Sequence, residues 1–294
     1  MSARRLHAIS FDVEEFFQVA NLRGHFAKDA WDGVPSRLDL GMHAVLLCLA
    51  RHGAHATFFF LGWVAERRPD LVRRCLAEGH EVASHGYDHD PVHKMTPESF
   101  CEDARRTRLV LESLSGSPVL GYRAPSFSIT TKTLWALDAL LDAGYAYDSS
   151  IFPIRRPDYG IPGADRAPHA ARTPSGRSIA EFPLTVANFL GRAIPVSGGG
   201  YFRMFPFAVT RWGFAKANRE GRPAVFYLHP WEIDASQPCL RHKTGPIGSF
   251  RHYVGLKRAA GKLEKLLAAF PFRPMREILA ELGLLPSAVA VSPS

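Results

Sequence analysis

The chain has 294 residues, 46% of them hydrophobic and 22% charged, with 24 Gly and 22 Pro. That mix belongs to an ordered globular protein and excludes disordered and collagen-like classes; the length suits one large α/β domain or two ordinary ones. Lys and Arg exceed Asp and Glu by 36 to 28, a net charge of +8, but the basic residues are scattered rather than gathered in a run. Such a balance favours acidic partners in general and gives nucleic acid little support.

No stretch reaches the roughly 18 apolar residues of a membrane span; the longest apolar-rich runs are Val45–Ala50 and Ala56–Ala65. The first residues meet His7, Asp12, Glu14 and Glu15 before the core of a signal peptide could form, so a cytoplasmic location is expected. The four cysteines, Cys48, Cys75, Cys101 and Cys239, include no C-x-x-C pair. They read as thiols of a reduced protein, not as a disulfide framework or a structural zinc site.

In chain order, short apolar runs alternate with helical patterns. Leu6–Phe11, Ala56–Leu61, His80–Ser84, Val119–Arg123, Tyr145–Asp148, Ile179–Val186 and Ala224–His229 read as strands. Between them, Asp70–Glu78 places Leu71, Val72, Cys75 and Leu76 on one helical face before Gly79. Thr96-Pro97-Glu98 supplies a capping hydroxyl and a proline at the first helical position. Phe100, Ala104, Thr107, Leu111 and Leu114 then recur at helical spacing, and Thr131–Ala143 repeats the form with Leu134, Leu137 and Leu141 inward. Pro153–Ser178, Ala193–Phe205 and Pro238–Phe250 read as loops, and the tail after Leu285 reads as frayed. Strand–helix alternation of this kind predicts a parallel sheet, doubly wound or closed into a barrel. The fingerprints G-x-G-x-x-G and G-x-x-x-x-G-K-[ST] are absent, which weakens a nucleotide-binding reading.

Four of these strands run directly into ionisable residues: Asp12 and Glu14; His85 and His89; Arg123; and His229. In a parallel α/β sheet or barrel the C-terminal strand ends share one rim, where active sites sit. Alone, an H-x-x-x-H pair is more often incidental than a metal site, Arg123 reads equally as a surface arginine, and His229 as a satisfied polar residue. Together with a carboxylate, His85 and His89 would make a two-histidine, one-acid set that leaves positions open for water and substrate.

On these residues the chain resembles the polysaccharide deacetylases of the NodB-homology type, carbohydrate esterase family 4. SFDVEE, SHGYDH, RAPSF, YDSSIF and YLHPW are similar to that family's five motifs, in its order, over about residues 6–232. FDVEEFFQV, SGGGYFR (Ser197–Arg203) and FRHYVGL (Phe250–Leu256) resemble the subgroup of exopolysaccharide loci that carry an exosortase. The resemblance implies a distorted (β/α) barrel of about seven parallel strands, one domain with long loops. Residues 1–235 would form the barrel and 236–294 a C-terminal extension packed on it.

The resemblance further implies removal of N-acetyl groups from N-acetylhexosamines of a polysaccharide or a lipid-linked oligosaccharide precursor, with Zn²⁺ or another divalent ion such as Co²⁺. Asp12 would be the catalytic base, oriented by Arg123, and His229 the general acid, supported by Asp148. His85 and His89 would hold the metal, and the Ser126 N–H would face the oxyanion. The usual first motif has adjacent aspartates, whereas Val13 stands second here. Glu14, which shares a face with Asp12 in an extended segment, is the expected ligand ahead of Glu15. Gly86 replaces the usual hydroxyl residue of the second motif. Trp63, Tyr87, Tyr201 and Trp231 are candidate sugar-binding aromatics, and the Gly198–Gly200 run would let a loop approach a ligand closely. A metal-independent amidase on a cyclic ureide or imide, and a carbohydrate-binding pseudoenzyme, are the rival readings. The basic surface suits an acidic glycan or peripheral association with an anionic membrane face.

Overall fold

The computed structural model describes residues 6–286. Its strands are β1 His7–Val13, β2 Thr57–Phe60, β3 Glu81–Ser84, β4 Gly121–Tyr122, β5 Tyr147–Asp148, β6 His169–Arg172, β7 Ser178–Glu181, β8 Val186–Phe189, β9 Arg192–Pro195, β10 Val225–Leu228 and β11 Phe272–Arg273. The main sheet runs β10-β1-β2-β3-β4-β5-β7-β6, with β11 also on β1. Every neighbouring pair from β10 to β7 is parallel, and only β6 runs antiparallel, on β7. The curled sheet and its helices make a (β/α) barrel, and each expected strand contributes to it.

The strands are apolar on both faces because both faces are covered. Ile9, Phe11, Phe58, Phe60, Val82, Phe226 and Leu228 pack outward against the helices. Their alternates Ala8, Phe59, Ala83, Tyr147, Val225 and Tyr227 fill the barrel interior. The seam between β7 and β10 is bridged by loop atoms. The Tyr227 N–H donates to the Ser197 carbonyl at 2.7 Å, and the Val225 N–H to Thr185 Oγ1 at 2.7 Å.

The helices are α1 Leu38–Arg51, α2 Gly62–Arg67, α3 Pro69–Ala77, α4 Pro97–Ser115, α5 Trp135–Asp142, α6 Gly199–Met204, α7 Phe207–Arg219, α8 Arg241–Tyr253, α9 Leu256–Ala269 and α10 Met275–Glu281. Thr96 caps α4 reciprocally with Ser99, and Gly116 ends it in the left-handed region at φ 64°. Helix α5 begins at Trp135, later than its apolar pattern suggests, because Thr133 Oγ1 takes the Thr130 N–H into a local turn. Its buried face is Ala136, Leu137, Ala139 and Leu140, with Leu134 and Leu141 half-buried.

The three expected loops contain regular structure. Pro153–Ser178 includes β6, Ala193–Phe205 includes part of β9 and α6, and Pro238–Phe250 includes most of α8. The Gly245-Pro246 pair kinks α8 without ending it, with Gly245 at φ 64°. The cysteines are free thiols, three of them on helices. The expected fraying lies largely outside the described residues.

Beyond residue 236 the chain returns to the barrel. Met275, Ile278 and Leu279 of α10 pack into the interior cluster, and the Met275 N–H donates to Thr57 Oγ1 at 2.8 Å. The glycine run Gly198–Gly200, which opens α6, lies against Tyr227 as well as against the cleft. Gly198 has φ 139°, and a Cβ there would sit 1.8 Å from the Tyr227 carbonyl oxygen. Gly198→Ala is expected to cost about 2–4 kcal/mol, from a forbidden backbone conformation and a clash on the barrel seam. Urea denaturation measures it.

Candidate active site

Asp12 is the next-to-last residue of β1, Glu14 follows that strand, and His85, Arg123 and His229 follow β3, β4 and β10. Parallel pairing therefore delivers all five to one rim, where Asp12, Glu14, His85 and His229 line a cleft of about 560 Å³ and Arg123 lies buried beneath it. A larger groove, about 830 Å³, lies between α4 and α5 among surface charges and holds none of these residues.

Arg123 is fully buried. Its guanidinium donates to Asp12 Oδ1 at 2.6 Å, Ser10 Oγ at 2.8 Å, and the Ser149 carbonyl and Oγ at 3.0 Å each. It also lies 4.2 Å above the Phe59 ring. The expected surface-arginine alternative is thereby removed: five donors in a planar fork tie β1, β4 and the loop after β5 together.

Glu14, His85 and His89 bring one donor atom each within 4.8 Å of one another, all buried. The His85 Nδ1–H donates to the Arg123 carbonyl at 2.8 Å, which leaves Nε2 as the lone-pair nitrogen. Burial pushes the His85 imidazole down to about 4, so it is neutral, as a ligand must be. Burial alone would raise the Glu14 carboxyl, but His89, His229 and His85 around it bring it down to about 2. Glu14 Oε2 and His89 Nδ1 are buried without hydrogen-bond partners; Oε2 stands 2.8 Å from His89 Nε2, out of line for a bond. His89 sits at φ 59°, a conformation disfavoured for its side chain. Two imidazoles, a carboxylate and orphaned donor atoms fit a divalent transition ion. Glu15 faces elsewhere, its Oε2 accepting the Arg37 N–H at 3.2 Å. A second group, Cys48, His52 and Glu264, lies between α1 and α9, where Glu264 is already paired with His52 at 2.6 Å and Arg51 at 3.2 Å.

His229 Nε2 lies 3.4 Å from Glu14 Oε1 and 3.8 Å from Asp12 Oδ2. Burial alone would lower this imidazole, but Glu14, Glu232 and Asp12 hold it up at about 9. The carboxylate on its Nδ1 is Glu232, at 2.7 Å, not the expected Asp148. Asp148 accepts instead from the Ser150 N–H and hydroxyl at 3.1 and 2.6 Å, inside the barrel beside Glu181. The signal for Glu232 was present in His-Pro-Trp-Glu, a capping pattern in which the fourth residue reaches back to the first.

The candidate aromatics divide. Tyr201 lines the cleft, its hydroxyl accepting from Arg156 Nε at 2.8 Å. Trp231 also lines it, but its ring stacks with His229 and His252 and its Nε1–H donates to Glu14 Oε1 at 3.2 Å. Trp63 and Tyr87 do not reach the cleft. Trp63 packs on Trp31 and Phe17, and Tyr87 lies under Arg106 with its hydroxyl on Glu66. Ser126 lines the cleft in the left-handed region, at φ 56° and ψ 22°.

A parallel α/β barrel with a carboxylate–imidazole cluster at the C-terminal ends of its strands defines the class. Residues 32–147 match the family model "Polysaccharide deacetylase", and residues 149–280 match "Domain of unknown function (DUF3473)". Residues 32–147 are thus similar to the polysaccharide deacetylase family, and most of the remaining chain to the domain of unknown function. It is 30% identical over 122 residues to a chitooligosaccharide deacetylase of Bradyrhizobium sp. (strain ANU 289), covering 42% of this chain and 54% of that protein. It is 33% identical over 91 residues to a peptidoglycan-N-acetylglucosamine deacetylase of Bacillus cereus, covering 31% of this chain and 33% of that one. The chain thus spans about half and a third of these relatives' lengths. A solved structure from Mycobacterium smegmatis, provisionally named a polysaccharide deacetylase, shares the fold. Its TM-score is 0.61 at 19% identity, over 100% of this chain and 94% of that one. The first family match contains His85, His89, Arg123 and Ser126, whereas His229 and Glu232 fall in the second.

Removing one partner of a buried ion pair strands the other. Arg123→Met is expected to cost about 3–5 kcal/mol, and adding Asp12→Leu to recover part of that loss. Urea denaturation of both variants measures the difference.

Proposed function

We propose that this protein is a metal-dependent hydrolase that removes N-acetyl groups from N-acetylhexosamine residues of a polysaccharide, in particular an exopolysaccharide or its lipid-linked precursor. The observation that carries this reading is the Glu14–His85–His89 cluster with Asp12 and His229 beside it in one cleft. The names of the curated relatives support the reaction, and the match to DUF3473 supports the exopolysaccharide subgroup.

Glu14, His85 and His89 would hold Zn²⁺ or a similar ion such as Co²⁺. When bound, such an ion lowers the pKa of water from about 15.7 to about 7 and polarises a carbonyl. Asp12 keeps Oδ1 on Arg123 and so has Oδ2 free to take the proton of the attacking water. The Ser126 N–H is the candidate backbone donor for the oxygen that gains charge. His229 has Nδ1 committed to Glu232 and Nε2 turned toward Asp12 and Glu14. Its neighbours Glu14, Glu232 and Asp12 favour the protonated imidazole, holding it up at about 9. It can therefore give the Nε2 proton to the departing amine as the C–N bond breaks. Arg123 orients Asp12, and Tyr201 is the cleft aromatic available to a sugar ring.

Asp12→Asn and His229→Ala should each lower the rate by about 10²–10⁴-fold with metal content retained. Chelation should abolish acetate release from N-acetylglucosamine oligomers or from acetylated exopolysaccharide, and added Zn²⁺ or Co²⁺ should restore it. Metal analysis with an acetate assay checks all three, and activity within a few-fold of wild type in either variant would overturn the assignment.

A further inference from the structure

The groups around His229 do not all come from the barrel rim. Glu232 is gripped from two sides, taking His229 Nδ1 on Oε2 at 2.7 Å and Arg203 Nε on Oε1 at 2.5 Å. Arg203 is buried, and its other donors go to the carbonyls of Arg251, His252 and Val254 at 3.0, 2.7 and 2.8 Å. The first two belong to the last turn of α8 and the third to the residue just after it, so this guanidinium caps that helix.

The tie is reciprocal. Lys262 of α9 donates to the carbonyls of Phe202, Arg203 and Phe205 at 2.8, 3.1 and 2.7 Å, capping α6. Gly255, at φ 72°, lets the chain pass against Arg203, since a Cβ there would lie 2.3 Å from the Arg203 carbonyl oxygen. On the adjoining face, His252 stacks on Trp231 at 4.7 Å and 3°, with Nε2 on Gln237 Oε1 at 2.7 Å.

We propose that the segment from Gln237 to Gly255, acting through Arg203 and Glu232, positions the His229 imidazole. The C-terminal half of the chain is then part of the proton-donating machinery, not a separate binding module. The inference rests on the deacetylase reading and assigns Glu232 and Arg203 as positioning residues for it.

The physical reason is the cost of an isolated buried carboxylate, which is several kcal/mol unless paired. Glu232 stays ionised beside His229 because Arg203 balances it, and Arg203 stays in place because α8 offers carbonyls to its remaining donors. Without that chain of contacts, His229 loses the acceptor that sets its tautomer and ring orientation. If the same contacts served only to hold α8 on the barrel, substitutions would lower stability and leave turnover alone.

The test uses the full chain loaded with Zn²⁺, in Glu232→Gln, Glu232→Asp, Arg203→Lys and Gly255→Ala forms. Glu232→Gln should lower kcat by about 10²-fold with KM changed less than about threefold and metal content unchanged. Glu232→Asp should regain part of the loss. Gly255→Ala, which touches no reacting group, should lower kcat by about tenfold. In protein with isotope-labelled histidine, the His229 Nδ1–H should give a downfield proton resonance that Glu232→Gln abolishes and Arg203→Lys shifts. A kcat for Glu232→Gln within about threefold of wild type would overturn the inference. Should Glu232→Gln not fold, Arg203→Lys and the resonance decide. Should the wild-type chain release no acetate, the deacetylase reading fails by itself; the positioning claim then stands or falls on the resonance, and its absence in the wild type sinks it.

Discussion

A fully buried guanidinium is costly unless its donors find acceptors, and Arg123 meets that constraint with four hydrogen bonds to groups from β1 and the turn after β5. Asp12 and Ser10 come from β1, the Ser149 carbonyl and hydroxyl from the turn after β5, and Arg123 itself from the end of β4. Its own carbonyl takes the His85 Nδ1–H, which orients one imidazole of the Glu14–His85–His89 cluster. The proposed base Asp12 and the proposed ligand His85 are therefore both held by Arg123, one by its side chain and the other by its main chain. The parallel register of β1 to β4 makes that arrangement possible.

A second charged chain serves the opposite side of the cleft. There the order is His229, Glu232, Arg203, and then the carbonyls at the end of α8. Both chains end on backbone carbonyls, which are fixed by the fold and cannot reorient without breaking it. The two imidazoles have opposite electrostatic characters. Burial pushes His85 down to about 4, whereas the carboxylates of Glu14, Glu232 and Asp12 hold His229 up at about 9. An imidazole that favours its neutral form and one that favours its protonated form thus stand in one cleft.

Much of this was legible because parallel strands buried on both faces leave continuous apolar runs, and each run ends where its ionisable residue begins. Asp12, His85, Arg123 and His229 stand out for that reason, and the choice of Glu14 over Glu15 follows from strand alternation. Trp63 and Tyr87 were misjudged because an aromatic near a motif carries no sign of which way it points. Trp63 lies among Trp31 and Phe17, in a cluster assembled from distant segments. Asp148 had the right chemistry at the end of a strand, but its neighbours in sequence, above all Ser150, hold its carboxylate inside the barrel.

From its sequence alone this chain specified a parallel α/β sheet and the residues its strand tips would carry, because alternation and turn residues act over a few positions, while the closure into a barrel was implied by the family resemblance. The partners of those residues were decided only in three dimensions. The Arg203–Glu232 contact spans 29 positions and the Trp231–Glu14 contact 217. Pairings at such separations are set by packing and by the need to satisfy buried charge, which leave no local pattern to read.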